Sequence, residues 1–354
     1  MSGCPFALSR RALLAGSAAL ATVARTAHAA ASQAATDVEP FYGPHQSGIL
    51  TPQQRHSYFA AFDLSTTKRQ DVIDLLRRWT DAAARMTQGL PLEADAGDAA
   101  GLSPSRLTVT FGFGPSLFTK DGADRYNLAK LRPPALVDMP KFPGDQLVAE
   151  KSDGDLSIQV CANDPQVAFH AIRELAGLAY ETATTRWLQS GFTPGTAPGE
   201  TPRNLMGFKD GSNNPDPNDP KAMNEVVWSG DDGPAWMRGG SYVVVRRSRI
   251  ALEHWDRTNV SFQEQTIGRQ KASGAPLGAK AEHDPANYDA EDVDGNQVIP
   301  ENSHVRLASA EANDGARIYR RAYSFNDGVA FTAERWPPWR QEMELDAGLL
   351  FICY

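Results

Sequence analysis

The chain has 354 residues and is poor in cysteine, in excess positive charge and in long apolar runs. Its formal net charge is -8, so a nucleic-acid partner is not expected. No apolar run beyond the N-terminus reaches the length of a membrane span. What remains is a chain with 41% hydrophobic residues, enough to bury the core of one large domain or of two medium domains.

Only three cysteines are present, and one of them, Cys4, lies at the extreme N-terminus. Cys161 and Cys353 each lie in an apolar run typical of a strand. We expect two buried free thiols. A disulfide between them stays an alternative, because the sequence does not show whether the two residues are close.

The N-terminus has the pattern of a targeting segment. Arg10 and Arg11 precede an apolar Ala/Leu stretch, and Ala27-His28-Ala29 offers a small-residue cleavage site. The arginine pair favours a twin-arginine signal over 1–29 and export to the periplasm, with an ordinary secretory signal as the alternative. Because that route carries folded proteins, a cofactor loaded before export is favoured.

Apolar periodicity predicts a β-α-β-β-α order in the first half of the chain. We expect strands over 57–64, 107–111 and 156–160, and a helix over 69–86. Pro165 begins a second helix that we expect to run to about Leu188, because proline suits the first helical turn. This order is the bulk of a ferredoxin-like unit.

The second half of the chain partly repeats this order. We expect strands over 241–247, 317–325 and 348–354, a short helix over 260–268 and a long loop over 273–301. By this count the second unit ends after its third strand, so we expect a unit truncated at its C-terminus. The predicted organisation is a signal over 1–29, an arm over 30–50, a first unit over 51–215 and a second over 216–354.

The seven histidines offer no clear metal site on their own: His28, His45, His56, His170, His254, His283 and His304. None forms a His-x-His or His-Glu-x-x-His pair, so zinc is not favoured. A lone histidine such as His304 is more often a capping or core residue than a metal ligand.

A glycine-flanked turn at 207–211, with the sequence GFKDG, is the second candidate feature. Its two glycines allow the backbone to approach a flat ligand closely, and Asp210 would be presented at the turn. Asp-Gly turns are common for purely structural reasons, so this pattern alone carries little weight.

Taken together, five segments resemble dye-decolourising peroxidases. They are FYGPHQSGILTPQQ at 41–54, NLMGFKDGS at 204–212, SHVRL at 303–307, YRRAYSF at 319–325 and GLLFICY at 348–354. The similarity is strongest to the exported, iron-transport-associated branch, also called deferrochelatase/peroxidase. The segments follow one another in the family's order, which makes the joint match specific.

This resemblance implies an α+β fold in which two ferredoxin-like units form one dimeric α+β barrel-like sandwich. It also implies one non-covalent haem b per chain, held mainly by the second unit; covalent c-type haem is not indicated, since Cys-x-x-Cys-His is absent. His304 is implied as the axial iron ligand, Asp210 as the acid–base and Arg320 as the catalytic guanidinium. Cofactor contacts are implied for Phe208, Lys209, Gly211, Ser212, Asn213, Arg321, Leu349 and Phe351.

Two departures from the family pattern are visible. The family usually continues its histidine motif with Asn-Pro, whereas here Ala308-Ser309-Ala310 follows. The family also continues beyond the strand at 348–354, and this chain does not. The first departure could change how the His304 imidazole is oriented, and the second could change whether the protein retains its haem.

The expected function is oxidation of bulky aromatic or dye donors by hydrogen peroxide in one-electron steps. Surface aromatic residues could relay electrons to a buried haem, although each is more often a core or interface residue: Trp228, Trp236, Trp255, Tyr242 and Tyr323. The alternatives are a deferrochelatase-like protein that releases iron from haem, or a non-catalytic haem-binding partner of an iron-transport system. A homo-oligomer is expected. A haem carrier needs His304 but no acid–base pair, so Asp210 with Arg320 favours catalysis.

Overall fold

The computed structural model describes residues 37–93, 97–197, 199–231, 233–333 and 341–354. The predicted signal and the first residues of the predicted arm lie outside these ranges, and residues 37–55 contain neither helix nor strand. Across the described ranges, no helix combines the length and the apolar character needed to cross a bilayer.

The first half of the chain forms four strands around two long helices. The elements are β1 (His56–Leu64), α1 (Arg69–Met86), β2 (Thr108–Phe113), α2 (Pro115–Phe118), β3 (Leu156–Ala162), α3 (Pro165–Ala179) and β4 (Ala183–Phe192). Asp164 caps α3, because its side chain accepts hydrogen bonds from the backbone N–H groups of Gln166 and Val167. The predicted strands and α1 are confirmed.

The predicted helix over 165–188 is wrong at its C-terminal end. It ends at Ala179, and β4 follows after a turn in which the Thr182 N–H donates to the Ala179 carbonyl at 2.7 Å. Thr184, Thr185 and Trp187 are residues that favour strands. β4 pairs with the edge of β1. Because β1 is more than one hundred positions away in the sequence, the local spacing of apolar residues does not predict this pairing.

The second half forms three strands and four short helices. The elements are α4 (Pro220–Val226), β5 (Val244–Arg249), α5 (Leu252–Trp255), α6 (Val260–Ile267), α7 (His304–Leu307), β6 (Tyr323–Ala333) and β7 (Gln341–Cys353). Three-residue 3₁₀ helices occur at Ala129–Leu131, Ala149–Lys151, Ala235–Met237 and Glu311–Asn313. The long loop expected over 273–301 is present.

The predicted strand over 317–325 is partly wrong, because β6 begins only at Tyr323. Before it, Arg320 forms an isolated bridge with Cys353. The Arg320 N–H and carbonyl bond instead to the side chain of Asn214, which takes the place of a neighbouring strand.

The seven strands of the described ranges form one antiparallel sheet in the order β2-β3-β1-β4-β6-β7-β5. The first four strands have the order of a complete ferredoxin-like unit. The order β6-β7-β5 repeats that of β2-β3-β1, so the second unit follows the same plan. The two units meet where Phe192 of β4 pairs with Ser324 of β6.

Two apolar cores lie on opposite faces of β1, because side chains alternate along a strand. Phe62 packs with Trp79 and the helices of the first unit. Phe59 faces the other way and packs with Tyr323 and Phe325 of the second unit. One face of the first-unit strands therefore packs against helices, and the other packs against side chains of the second-unit strands that continue the same sheet, which confirms the α+β sandwich.

Cys161 and Cys353 are both buried free thiols, as the sequence predicts. Cys161 lies in the second core, where the Tyr323 hydroxyl donates to its Sγ at 3.4 Å.

Candidate functional site

The turn over 204–212 is closed by its own hydrogen bonds. The Asn204 Oδ1 accepts from the N–H groups of Met206 at 3.0 Å and Phe208 at 3.3 Å. Gly207 has a φ of +83°, and a Cβ there would lie 2.7 Å from the Cε of Lys271. The positive φ favours glycine at this position, whereas the flexible end of the Lys271 side chain could move to admit a Cβ. The turn brings Asp210 to the surface of a cavity.

Glu282, from the loop over 273–301, holds the same turn from outside. The Lys209 Nζ donates to Glu282 Oε2 at 2.5 Å, and the Ser212 Oγ donates to Oε1 at 2.9 Å. Desolvation alone would raise the pKa of Glu282, but the hydrogen bonds from Lys209, Thr201 and Ser212 outweigh it and lower the pKa to about 2. Glu282 is thus an anion that ties down the residues on both sides of Asp210.

Asp210 and Arg320 form an ion pair, with Arg320 Nη1 and Asp210 Oδ1 2.9 Å apart. Both side chains line a cavity of about 220 Å³ and are about one-fifth to one-quarter exposed. The Asn214 Nδ2 donates to the Arg320 carbonyl at 2.7 Å, and its Oδ1 accepts from the Arg320 N–H at 3.1 Å. This double contact fixes the backbone from which the guanidinium extends.

His304 is the first residue of α7, directly after the buried Ser303. Arg306, on the same short helix, anchors it by donating to the Tyr288 carbonyl at 2.6 Å. The protein atoms packed around His304 lower its pKa by desolvation; Arg320 lowers it further, and Asp210 opposes both effects. His304 therefore lies within electrostatic range of both members of the ion pair, although it does not line their cavity.

The remaining predicted cofactor contacts lie in three kinds of surroundings: at the cavity, in the interior and on the exposed surface. Leu349 and Gly211 line the cavity, and Phe351 lies two residues beyond Leu349 on the same face of β7. Phe208 is buried, with its ring in edge contact with Trp255 at a centroid distance of 6.1 Å. Asn213 is exposed; its neighbour Asn214 is the residue that reaches Arg320.

Arg321 lies away from the cavity, contrary to its predicted cofactor contact. It is 2% exposed and donates to the Thr51 carbonyl and to the Gln54 Oε1. Arg320 and Arg321 are neighbours in an extended segment and so point to opposite sides. Only Arg320 faces Asp210.

Asn214 and Glu282 are the functional residues that sequence reasoning missed. Asn214 stands inside the motif next to the predicted Asn213, and nothing in the sequence distinguishes two adjacent asparagines. Glu282 lies in a polar loop without periodicity, about seventy positions from its partners. Only the folded chain reveals the two contacts.

The aromatic residues considered as electron relays lie in different surroundings. The ring of Trp228 stacks on His45 at 3.7 Å, and Trp255 donates from Nε1 to the Met206 carbonyl at 3.2 Å. Tyr323 lines the cavity but is 1% exposed, whereas Trp236 is 44% exposed.

Comparison with known proteins agrees with this geometry. The family model described as Dyp-type peroxidase, N-terminal, matches residues 46–193, and that described as Dyp-type peroxidase, C-terminal, matches residues 201–354. A protein of Shigella flexneri named deferrochelatase is 39% identical over 98% of this chain and 85% of its own length. The deferrochelatase of Escherichia coli K12 is also 39% identical, with the same coverage.

Solved structures with the same fold include proteins of two Streptomyces species. A DyP-type peroxidase from Streptomyces coelicolor matches with a TM-score of 0.82 and 40% identity, over 91% of this chain and 85% of that chain. Ferric DtpA from Streptomyces lividans matches with a TM-score of 0.81 and 39% identity, over the same shares. Rhodococcus jostii DypB in complex with heme, at 23% identity and a TM-score of 0.60, shares the fold.

Proposed function

Because the chain belongs to the Dyp-type peroxidase family, we propose that Asp210, Arg320 and His304 are the residues through which it uses hydrogen peroxide. The chain is a haem peroxidase that binds its haem non-covalently, reduces hydrogen peroxide and oxidises an electron donor. The observation that carries the assignment is the Asp210–Arg320 ion pair, which lines a cavity and acts electrostatically on His304.

The chemistry of the donor set fits a haem. His304 offers an imidazole whose lowered pKa favours the neutral form, and the neutral form is the one that binds iron. Leu349 and Phe351 offer apolar, partly exposed side chains on one face of β7. His304 would bind the iron, and the two apolar side chains would contact the macrocycle.

When bound, haem supplies the iron that coordinates peroxide and the electrons that cleave its O–O bond. Asp210 accepts the proton from one oxygen of hydrogen peroxide and returns it to the other oxygen, which departs as water. Arg320 donates hydrogen bonds to the negative charge that grows as the bond breaks. Because Asn214 holds the backbone of Arg320, the guanidinium needs little reorganisation at that moment.

The electron donor is proposed to be a bulky aromatic compound or dye that gives up one electron at a time. A donor too large for the cavity would need a relay at the surface. Among the aromatic residues considered, Trp236 has the exposure this role requires, because 44% of it is open to solvent.

The first prediction concerns the acid–base pair. Asp210→Asn keeps the size of the side chain but removes proton transfer, so peroxide-dependent dye oxidation should fall by a factor of about 10² to 10⁴. Arg320→Leu should lower the rate of peroxide cleavage by about 10² to 10³ through lost charge stabilisation. Stopped-flow spectroscopy of the haem-loaded variants measures this step directly.

The matched control is Asp231→Asn, which neutralises an acid that is 83% exposed and should leave the rate unchanged. His304→Ala should lose the normal haem absorption spectrum. If Asp210→Asn and Arg320→Leu cleave peroxide at the wild-type rate while fully loaded, the assigned roles are wrong.

A second candidate function is release of iron from haem, favoured by the relatives named deferrochelatase. Removing iron from intact haem does not require peroxide cleavage, so Asp210→Asn should still release iron from haem. Appearance of iron-free porphyrin in a peroxide-free incubation, followed by fluorescence, would support this second function; its absence would leave the peroxidase function alone.

The second prediction concerns export. The Arg10-Arg11 pair supports a proposal of twin-arginine export to the periplasm, together with a haem-linked role beside an iron-transport system. Replacing both arginines with lysine should retain the protein in the cytoplasm, as cell fractionation would show. We also propose a homo-oligomer; a mass equal to one chain in light scattering would contradict it.

A further inference from the structure

A second cavity, of about 210 Å³, lies on the first unit and shares no lining residue with the cavity of Asp210. Ten of its eleven lining residues are apolar or aromatic, and Arg69 is the exception. The cavity is open to solvent on one side, and a concave apolar surface with a single convergent charge is a usual form of a small-molecule site.

One wall of the cavity is a face of α1. Arg69, Val72, Ile73 and Leu76 follow the i, i+3, i+4, i+7 spacing that places side chains on one side of a helix. Val72 also belongs to the main core with Leu75, and Leu76 packs against that core, whereas Ile73 is only partly buried. The cavity wall is therefore the edge of the apolar core face of α1, left partly open to solvent at Ile73 and Leu76.

The opposite wall is aromatic. Trp236 is 44% exposed, and its ring lies 6.0 Å from the ring of Phe118 and 6.2 Å from that of Phe113. The Trp236 Nε1 already donates to the Leu131 carbonyl at 3.0 Å, and the Tyr126 hydroxyl donates to a backbone carbonyl at 2.7 Å. Because these polar atoms already have hydrogen-bond partners, a ligand at this wall would mainly contact the faces of aromatic rings.

Arg69 supplies the charge at the rim. Within the described ranges it has no hydrogen-bond or ion-pair partner. The nearest acid in the first turn of α1, Asp71, accepts a hydrogen bond from the Thr66 hydroxyl at 2.6 Å instead. A guanidinium left without an anion beside an apolar cavity is suited to a carboxylate or sulfonate.

We propose that this cavity binds a planar aromatic anion of one or two rings. The rings lie between Trp236 and the Ile73–Leu76 face of α1, and the anionic group pairs with Arg69. Aromatic stacking and apolar burial provide affinity, while the guanidinium selects anions over neutral compounds of the same shape. This site shares no lining residue with the cavity of Asp210, and binding to it requires neither peroxide nor electron transfer through Trp236.

The test is calorimetric titration of the haem-loaded protein with 2-naphthalenesulfonate in the absence of peroxide. Arg69→Gln should raise the dissociation constant about fivefold, as expected for loss of one partly exposed ion pair. Trp236→Ala, at a half-exposed position that tolerates truncation, should raise it threefold to tenfold through lost stacking. The neutral 2-naphthalenemethanol should bind wild type and Arg69→Gln equally.

Arg77→Gln is the matched control, because it removes the same charge from an exposed position on the same helix. It should leave the dissociation constant unchanged, and the haem spectrum should not respond to the probe. Equal binding by wild type, Arg69→Gln and Trp236→Ala, or a probe-induced change in the haem spectrum, would overturn the proposal. Neither readout involves turnover, so loss of peroxidase activity leaves the result intact.

Discussion

Glu282 is an acid in a long loop whose two oxygens bond to Lys209 and Ser212, on either side of Asp210. Its pKa of about 2 means that the folded protein keeps it ionised where the unfolded chain would not. As the pH falls below about 4.5, the unfolded chain binds the proton first. The stabilisation from Glu282 is therefore complete above that pH and is lost as the pH falls towards 2.

The third prediction follows from the lowered pKa of Glu282, which makes its ionised form stabilise the folded protein. Glu282→Gln keeps the shape of the side chain but removes its charge, and should lower the free energy of unfolding near pH 6 by about 3 kcal/mol. The loss should shrink as the pH falls from 4.5 towards 2, because the wild type gives up the same contribution there. Urea unfolding at several pH values measures both effects.

Glu225→Gln is a suitable control, since Glu225 forms only an exposed pair with Lys221 at 4.0 Å. It should change the free energy of unfolding by less than about 1 kcal/mol. A stability curve for Glu282→Gln that runs parallel to that of the wild type between pH 4.5 and 2 would contradict the assigned pKa.

The sequence predicted the ionisable residues of the site better than the residues that hold them. Asp210, Arg320 and His304 are distinctive in type and motif; the structure pairs the first two, and His304 lies within their electrostatic range. Asn214 acts through a contact with a backbone 106 positions away. Such a partner leaves no pattern in its own neighbourhood, because the bond depends on the fold of both segments.

At the scale of elements, the spacing of apolar residues predicted the bounds of an element correctly where residues at both of its ends mark where it begins and ends. Helix α1 was predicted at its observed bounds, and Pro165 marks the observed start of α3. The end of α3 was misplaced because no glycine or proline follows it within ten residues. Strand β4 exists through its pairing with β1, which is a long-range interaction.

Gly191 of β4 lies where the two units join. A Cβ there would be 2.7 Å from the Cβ of Tyr323 and 3.3 Å from the Cδ2 of Leu350. The side chains of the second unit therefore occupy the space that any larger residue would need. Neighbouring Phe192 pairs with Ser324, so the contact lies at the seam of the sheet.

The fourth prediction is that Gly191→Ala destabilises the protein by about 1 to 3 kcal/mol, because the junction must move apart to accept the methyl group. Chemical denaturation of the haem-free protein measures this change without a contribution from cofactor binding.

The same substitution at Gly177 provides a control of opposite sign. Gly177 lies in α3 with no atom within 4 Å of an added Cβ, so alanine should stabilise the helix by up to about 1 kcal/mol. If both variants change stability in the same direction, crowding at Gly191 is not the cause.

At the scale of the whole molecule, two ferredoxin-like units share one continuous sheet. The sequence predicted two units of this type, and family resemblance implied the sandwich. The sequence did not predict that β4 of the first unit would pair with β6 of the second, because the first half of β4 was predicted as helix. One local error thus concealed the connection between the halves.

Arg321 has a consequence for the order in which the chain can fold. Its buried guanidinium donates to the Thr51 carbonyl and to the Gln54 Oε1, which lie 270 and 267 positions earlier, while its Nε has no hydrogen-bond partner among the described residues. An arginine cannot lose its charge, so its burial is unfavourable until both partners are in place. Contacts of such high sequence separation form slowly, since a very long loop must close first. The packing around Arg321 can therefore be completed only after residue 321 has been synthesised, so we expect this part of the molecule to form late in folding.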